Sequence, residues 1–93
     1  MLELIKRLCE LDGVCGTEEP VAAFIRAHAE RYADSVRTDV MGNVIAFKKG
    51  AKTPEKSVLL TAHMDEVGLI ITGYTDDGYL KFDEAGGLDR RVI

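Results

Sequence analysis

The chain has 93 residues, a formal net charge of −4, 46% hydrophobic residues and 30% charged residues. These values are ordinary for a globular protein, and the length allows one domain at most. The acidic balance gives no basic face for nucleic acid, so no nucleic-acid partner is expected. No stretch approaches the ~20 apolar residues of a membrane span, and the first residues do not resemble a signal peptide, so we expect a cytoplasmic protein without membrane contact.

Two helices are predicted at the start of the chain. Apolar residues recur at helical spacing over residues 2–11, and Asp12 begins the stop signal. The second helix is predicted to begin after Thr17, a favourable N-cap, and to run to about Ala33. His28 lies on or beside the apolar face of this helix, and we interpret it as a packed, structural histidine.

The two cysteines, Cys9 and Cys15, are six residues apart. This spacing matches no common zinc or redox motif, and a cytoplasmic location favours reduced thiols. Neither cysteine has a histidine at a spacing that would indicate a nucleophile.

The pattern then changes to period two, which is typical of strands. Residues 35–40 and 43–47 are predicted to form a hairpin around Gly42, followed by a polar loop over 48–56. The apolar run 57–63 is predicted to be a strand covered on both faces.

A second hairpin is predicted from strands at 69–73 and 79–82, with Asp76, Asp77 and Gly78 in the turn. Residues 88–93 have the pattern of the start of a further element.

The strongest chemical signal is His63 followed by Asp65 at the end of the apolar run. Residues two apart on an extended chain point to the same side. A neutral imidazole can bind Zn²⁺ or Co²⁺ through one nitrogen while a carboxylate accepts a hydrogen bond from the other. From the residues alone, a metal ligand and a histidine–aspartate pair that merely ties down a strand end both remain open. Glu66 is predicted to face away from His63 in a structural or solvated role.

Four motifs, in order along the chain, resemble one family. They are LDGVCGTE at 11–18, DVMGNVIA at 39–46, AHMDEVG at 62–68 and DGYLKF at 77–82, the last followed by two glycines. The family is that of the dinuclear-metal aminopeptidases, which include the tetrahedral (TET), deblocking and glutamyl aminopeptidases, some of them labelled cellulase or endoglucanase.

The resemblance implies an α/β fold with two parts. Residues 1–67 would be the N-terminal part of a metallo-aminopeptidase catalytic domain, with two helices, a hairpin and a buried strand. Residues 68–93 would be the first strands of an inserted β-barrel that makes subunit contacts. Family members form homo-oligomers, commonly dodecamers, and remove N-terminal residues from peptide substrates.

The resemblance also implies roles for two residues. His63 would be a metal ligand, and Asp65 would stand behind it and take part in catalysis by setting the character of the metal. The full-length family uses two divalent metal ions, zinc or cobalt. Its other ligands, the bridging aspartate and the glutamate base lie far downstream of these motifs. The 93 residues alone are therefore expected to be inactive and to lack a complete metal pair.

Two alternatives remain open from the sequence. Residues 68–85 could act as a non-catalytic oligomerisation or interaction module through an exposed strand edge. The chain could also be a mononuclear metal-binding or sensor domain, which would require tight metal binding that depends on His63.

Overall fold

The computed structural model describes residues 1–53 and 55–92. Two residues that the predictions include lie outside the described ranges. They are Pro54, in the predicted polar loop, and Ile93, at the end of the last predicted element. Within the described ranges, no helix is long and apolar enough to cross a bilayer.

Two helices form where the apolar periodicity predicts them, with shorter bounds. Helix α1 spans Leu2–Cys9 and helix α2 spans Glu19–Ala29. The predicted N-cap of α2 is wrong, because the cap position is Glu18 and no side chain caps the helix. The Thr17 hydroxyl instead donates to the carbonyl oxygen of Val14 at 2.8 Å, so it closes the preceding turn.

The first hairpin is confirmed. Strands β1 (Ser35–Thr38) and β2 (Val44–Phe47) pair antiparallel, with Thr38 opposite Val44. Gly42 has a φ of +87°, which a residue without Cβ adopts readily.

The second hairpin is also confirmed. Strands β3 (Gly68–Tyr74) and β4 (Leu80–Ala85) pair antiparallel, with a register irregularity between Ile71 and Gly73. Gly78 has a φ of +86° in the connecting turn, as the turn residues predict. A short 3₁₀ helix, Arg90–Val92, follows.

The predicted buried strand at 57–63 is wrong. Residues 57–65 form neither helix nor strand, and the side chains of Val58, Leu59 and Leu60 are 86%, 86% and 89% exposed. A strand requires a neighbour for its backbone N–H and C=O groups. Both described sheets are two-stranded and pair only within their own hairpins, so they offer none to this segment.

Among the described residues the only buried apolar side chain is Val21 of α2, at 6% exposure. The radius of gyration is 18.1 Å, against about 12 Å for a compact domain of this length. The described residues therefore form an elongated arrangement, 66 × 29 × 24 Å, in which local elements are complete but large apolar faces stay open.

Candidate metal centre

A contact between two distant loops positions the histidine segment. The N–H of Glu66 donates to the carbonyl oxygen of Gly13 at 2.8 Å, and the N–H of Gly13 donates to Glu66 Oε1 at 3.2 Å. Val14 and Glu66 form an isolated parallel bridge. The structural interpretation of Glu66 therefore agrees with its contacts, since both its backbone and its carboxylate hold the 13–14 loop.

Close packing accompanies these hydrogen bonds. A Cβ added at Gly13 would lie 2.8 Å from Val21 Cγ2, and one added at Gly68 would lie 2.6 Å from Val14 Cγ2. Only glycine fits at either position without movement of a neighbour. The motifs at 11–18 and 62–68 thus meet in space, although 53 residues separate Gly13 from Glu66.

His63 and Asp65 lie together, as their spacing predicts. His63 Nδ1 is 3.0 Å from the carbonyl oxygen of Asp65 and 3.1 Å from its Oδ1. Both atoms accept hydrogen bonds when the carboxyl is ionised, so Nδ1 is assigned the proton and Nε2 keeps a free lone pair. This is the arrangement in which a carboxylate orients a metal-binding imidazole.

The pair stands at one side of an open cleft of about 500 Å³. Ala22 of α2 and residues 41–43 of the first hairpin's turn form other parts of its wall. The side chains of His63 and Asp65 are 85% and 45% exposed, so their contact contributes little to stability. The contact between Asp65 and Nδ1 instead orients the ring and leaves Nε2 accessible.

The hairpin turn in the cleft wall is itself held by a carboxylate. Asp39 Oδ1 accepts hydrogen bonds from the N–H groups of Met41 and Asn43, each at 2.9 Å, and Oδ2 accepts one from Asn43 Nδ2 at 2.9 Å. The hydrogen bond from the Asn43 side chain, with the two backbone bonds and the charge of Arg37, lowers the pKa of Asp39 below its ordinary value. The turn is therefore best ordered when Asp39 is ionised.

The described residues contain no complete set of metal ligands. No three His, Cys, Asp or Glu side chains within residues 1–53 and 55–92 are grouped so that they could hold a metal ion. Structural zinc takes four protein ligands and catalytic zinc usually three. The chemistry of His63 fits one ligand position, and Asp65 fits the group behind it.

The other histidine has a different environment. The His28 ring stacks on Phe24 with ring centroids 6.3 Å apart, and its centroid lies 5.6 Å from that of Tyr32. This agrees with its interpretation as a packed histidine on α2. Both cysteines are exposed free thiols, as expected.

The comparisons with known proteins agree with the motifs. Residues 42–93, more than half of the chain, match the sequence profile described as M42 glutamyl aminopeptidase. The chain therefore belongs to the M42 glutamyl aminopeptidase family.

Individual relatives cover nearly all of this chain. It is 37% identical over 87 residues to a lysyl aminopeptidase from Pyrococcus furiosus, covering 92% of this chain and 24% of the relative. It is similar in structure to an aminopeptidase from the archaeon Desulfurococcus kamchatkensis, with a TM-score of 0.85, 39% identity, and coverage of 96% of this chain and 24% of that one. A Thermotoga maritima structure described as an endoglucanase gives a TM-score of 0.79 at 41% identity, covering 94% and 28%. The chain thus spans about a quarter of the length of these relatives.

Proposed function

We propose that this sequence contributes to a metal-dependent aminopeptidase that removes N-terminal residues from peptides. The observation that carries the proposal is the His63–Asp65 pair, in which Nδ1 is occupied and Nε2 is free at a cleft. Membership of the M42 family and the names of its aminopeptidase relatives support it.

In this proposal His63 holds one of two divalent ions through Nε2. Asp65 keeps the imidazole in the required tautomer and orients the ring. A bound metal pair supplies Lewis acidity and an activated water. Because the described residues offer one ligand, the remaining ligands and the general base would come from other parts of a longer protein.

The proposal is tested in a chimera. This chain replaces the aligned quarter of the Pyrococcus furiosus lysyl aminopeptidase, and hydrolysis of an aminoacyl-p-nitroanilide is measured with added Co²⁺ or Zn²⁺. We expect the chimera to be active and His63→Ala to lower kcat/KM by at least about 100-fold, since a ligand is removed. Asp65→Ala should lower it by about 10- to 100-fold.

His28→Gln is the matched control, because it removes the other histidine at a packed position away from the cleft. Its activity should equal that of the parent chimera. An active chimera that is insensitive to His63→Ala would refute the proposal. His63-dependent hydrolysis by the 93-residue chain itself would refute the expectation that one ligand is insufficient.

A second candidate function is assembly through β3 and β4. Several large apolar side chains on one face of this hairpin are about half exposed, among them Leu69, Ile71 and Phe82, at 44–54%. Such a surface is typical of an interface between chains, and homo-oligomerisation would cover it. Loss of assembly on deleting residues 69–93, with metal binding unchanged, would favour this module over a purely catalytic role.

A further inference from the structure

We propose that Glu66 is a positioning residue that fixes the orientation of the His63 imidazole by clamping its segment to the loop at Gly13. The inference rests on the proposed function, because the orientation of His63 matters most if its Nε2 binds a metal. Glu66 does not contact the metal in this proposal, and it acts only through the backbone that carries His63.

The histidine segment is anchored only at its C-terminal side within the described residues. Residues 57–65 make no backbone–backbone hydrogen bond within the described ranges, and Val58, Leu59 and Leu60 are exposed. The first backbone anchor is the N–H of Glu66, which donates to the carbonyl oxygen of Gly13 at 2.8 Å. The only hydrogen bonds of the His63 ring among the described residues are those to Asp65, within the same segment. The placement of the ring therefore depends on an anchor at its C-terminal side.

A glutamate suits position 66 because its carboxylate reaches the Gly13 N–H. Gly13 is buried, so its N–H needs a partner inside the protein. Glu66 Oε1 supplies it at 3.2 Å. Together the backbone and side chain of one residue satisfy both the N–H and the C=O of Gly13. A buried N–H without a partner would weaken the contact as a whole.

Two substitutions of Glu66 distinguish the length of its side chain from its charge. Glu66→Gln keeps the length and a carbonyl oxygen acceptor but removes the charge. Glu66→Asp keeps the charge but shortens the side chain by one methylene, so it loses its reach to Gly13. If the hydrogen bond positions the segment, glutamine should substitute for glutamate and aspartate should not.

The matched control is Glu18→Asp. Glu18 Oε1 accepts a hydrogen bond from the N–H of Gly16 at 2.8 Å, so it makes the same kind of contact to the same loop. Shortening Glu18 also keeps the charge and removes a carboxylate–glycine bond, but it leaves the contact between Gly13 and Glu66 in place. The tautomer of His63 should be unaffected.

The measurement is the tautomer ratio of His63 from the ¹⁵N shifts of its ring nitrogens in the 93-residue chain. Spectra are taken at a pH of about 8.5, above the ordinary titration range of histidine. The chain has two histidines, so His28 serves as an internal reference for helix α2. An unrestrained histidine favours the proton on Nε2, whereas the structure assigns it to Nδ1.

We expect wild type, Glu66→Gln and Glu18→Asp to share a ratio dominated by the Nδ1–H form. Glu66→Asp should lower the ratio of Nδ1–H to Nε2–H by about 2- to 12-fold, the equivalent of losing one ordinary hydrogen bond. The Gly13 amide should exchange faster with solvent in Glu66→Asp alone. Unchanged His28 shifts would show that α2 remains folded.

Three results would overturn the inference. They are an unrestrained ratio in wild type, an equal ratio in wild type and Glu66→Asp, and a ratio in Glu66→Gln that falls as far as in Glu66→Asp. If Glu66→Asp also disturbs His28, then Glu66→Met replaces it, because methionine keeps the length of the side chain but has no strong acceptor for the Gly13 N–H. A ratio in Glu66→Met below that of Glu66→Gln supports the inference, and an equal ratio refutes it.

The chimera separates this inference from the proposed function. Chimera activity that is insensitive to His63→Ala would count against the metal-ligand role alone. The tautomer ratios are measured without metal, so their outcome would stand independently.

Discussion

The two glycines of strand β3 allow a sharp test of the contact that anchors the histidine segment. A Cβ added at Gly68 would lie 2.6 Å from Val14 Cγ2 and 3.1 Å from Val14 Cγ1. Ordinary carbon–carbon contacts are about 3.5–4.0 Å, so Gly68→Ala forces the strand and the 13–14 loop apart. A Cβ added at Gly73 would meet nothing within 4 Å.

Gly68→Ala should therefore destabilise the contact by about 1–3 kcal/mol, the usual range for an overpacked site. The assay is amide hydrogen exchange at Glu66, whose N–H donates across this contact to Gly13. The loss corresponds to about 5- to 140-fold faster exchange if the amide exchanges by local opening. Gly73→Ala should leave the rate within about twofold, since alanine in a strand is no worse than glycine.

A double substitution completes the test. Val14→Ala removes both methyl groups that the new Cβ would contact, so the pair Gly68→Ala and Val14→Ala should show a favourable coupling of about 0.5–3 kcal/mol. The steric argument is refuted if Gly68→Ala exchanges as slowly as Gly73→Ala, or if Val14→Ala gives no rescue.

Two further predictions concern the hairpins. Because the folded pKa of Asp39 is lowered, its stabilisation of the first turn is fully present above the ordinary aspartate pKa of about 3.9 and is lost as pH falls through the lower folded value. The NMR chemical shifts of the Met41 and Asn43 amides should thus change on acidification below pH ~4. In Asp39→Asn these shifts should already differ from wild type at pH 7. Identical pH titrations of the two proteins would contradict this prediction. Ile71→Lys should lower self-association in sedimentation velocity, because it places a charge beside Phe82 on the exposed apolar face of the hairpin. Val40→Lys, at an exposed apolar position outside the strands, should not. Equal effects of the two lysines would point to net charge as the cause.

The sequence predicted local features well because their causes are local. The turns at Gly42 and Gly78 depend on positive φ, which glycine adopts readily, and the residues that form them are neighbours in sequence. The meeting of His63 with Asp65 also follows from their spacing of two.

Two of the failures share one physical origin, which is dependence on residues that are distant in sequence. The apolar run 57–63 was expected to form a strand, but strand formation needs a neighbour that the described residues do not offer. The clamp between Glu66 and Gly13 was not predicted, because no local pattern pairs residues 53 positions apart. The predicted cap at Thr17 was wrong for a local reason: the helix begins at Glu19 with Glu18 in the cap position, and the Thr17 hydroxyl donates to the carbonyl oxygen of Val14.

The exposed segment 57–62 has a consequence for handling the protein. Its sequence, SVLLTA, is uncharged, contains no proline and is rich in residues that favour strands. Six-residue stretches of this composition can stack in register between chains, with dry side-chain interfaces between the stacked sheets. Lys56 on one side and Asp65 on the other are the charges that oppose such stacking. High salt, which screens those charges, should therefore promote fibrils of this chain, and dilute low-salt buffer should keep it in solution.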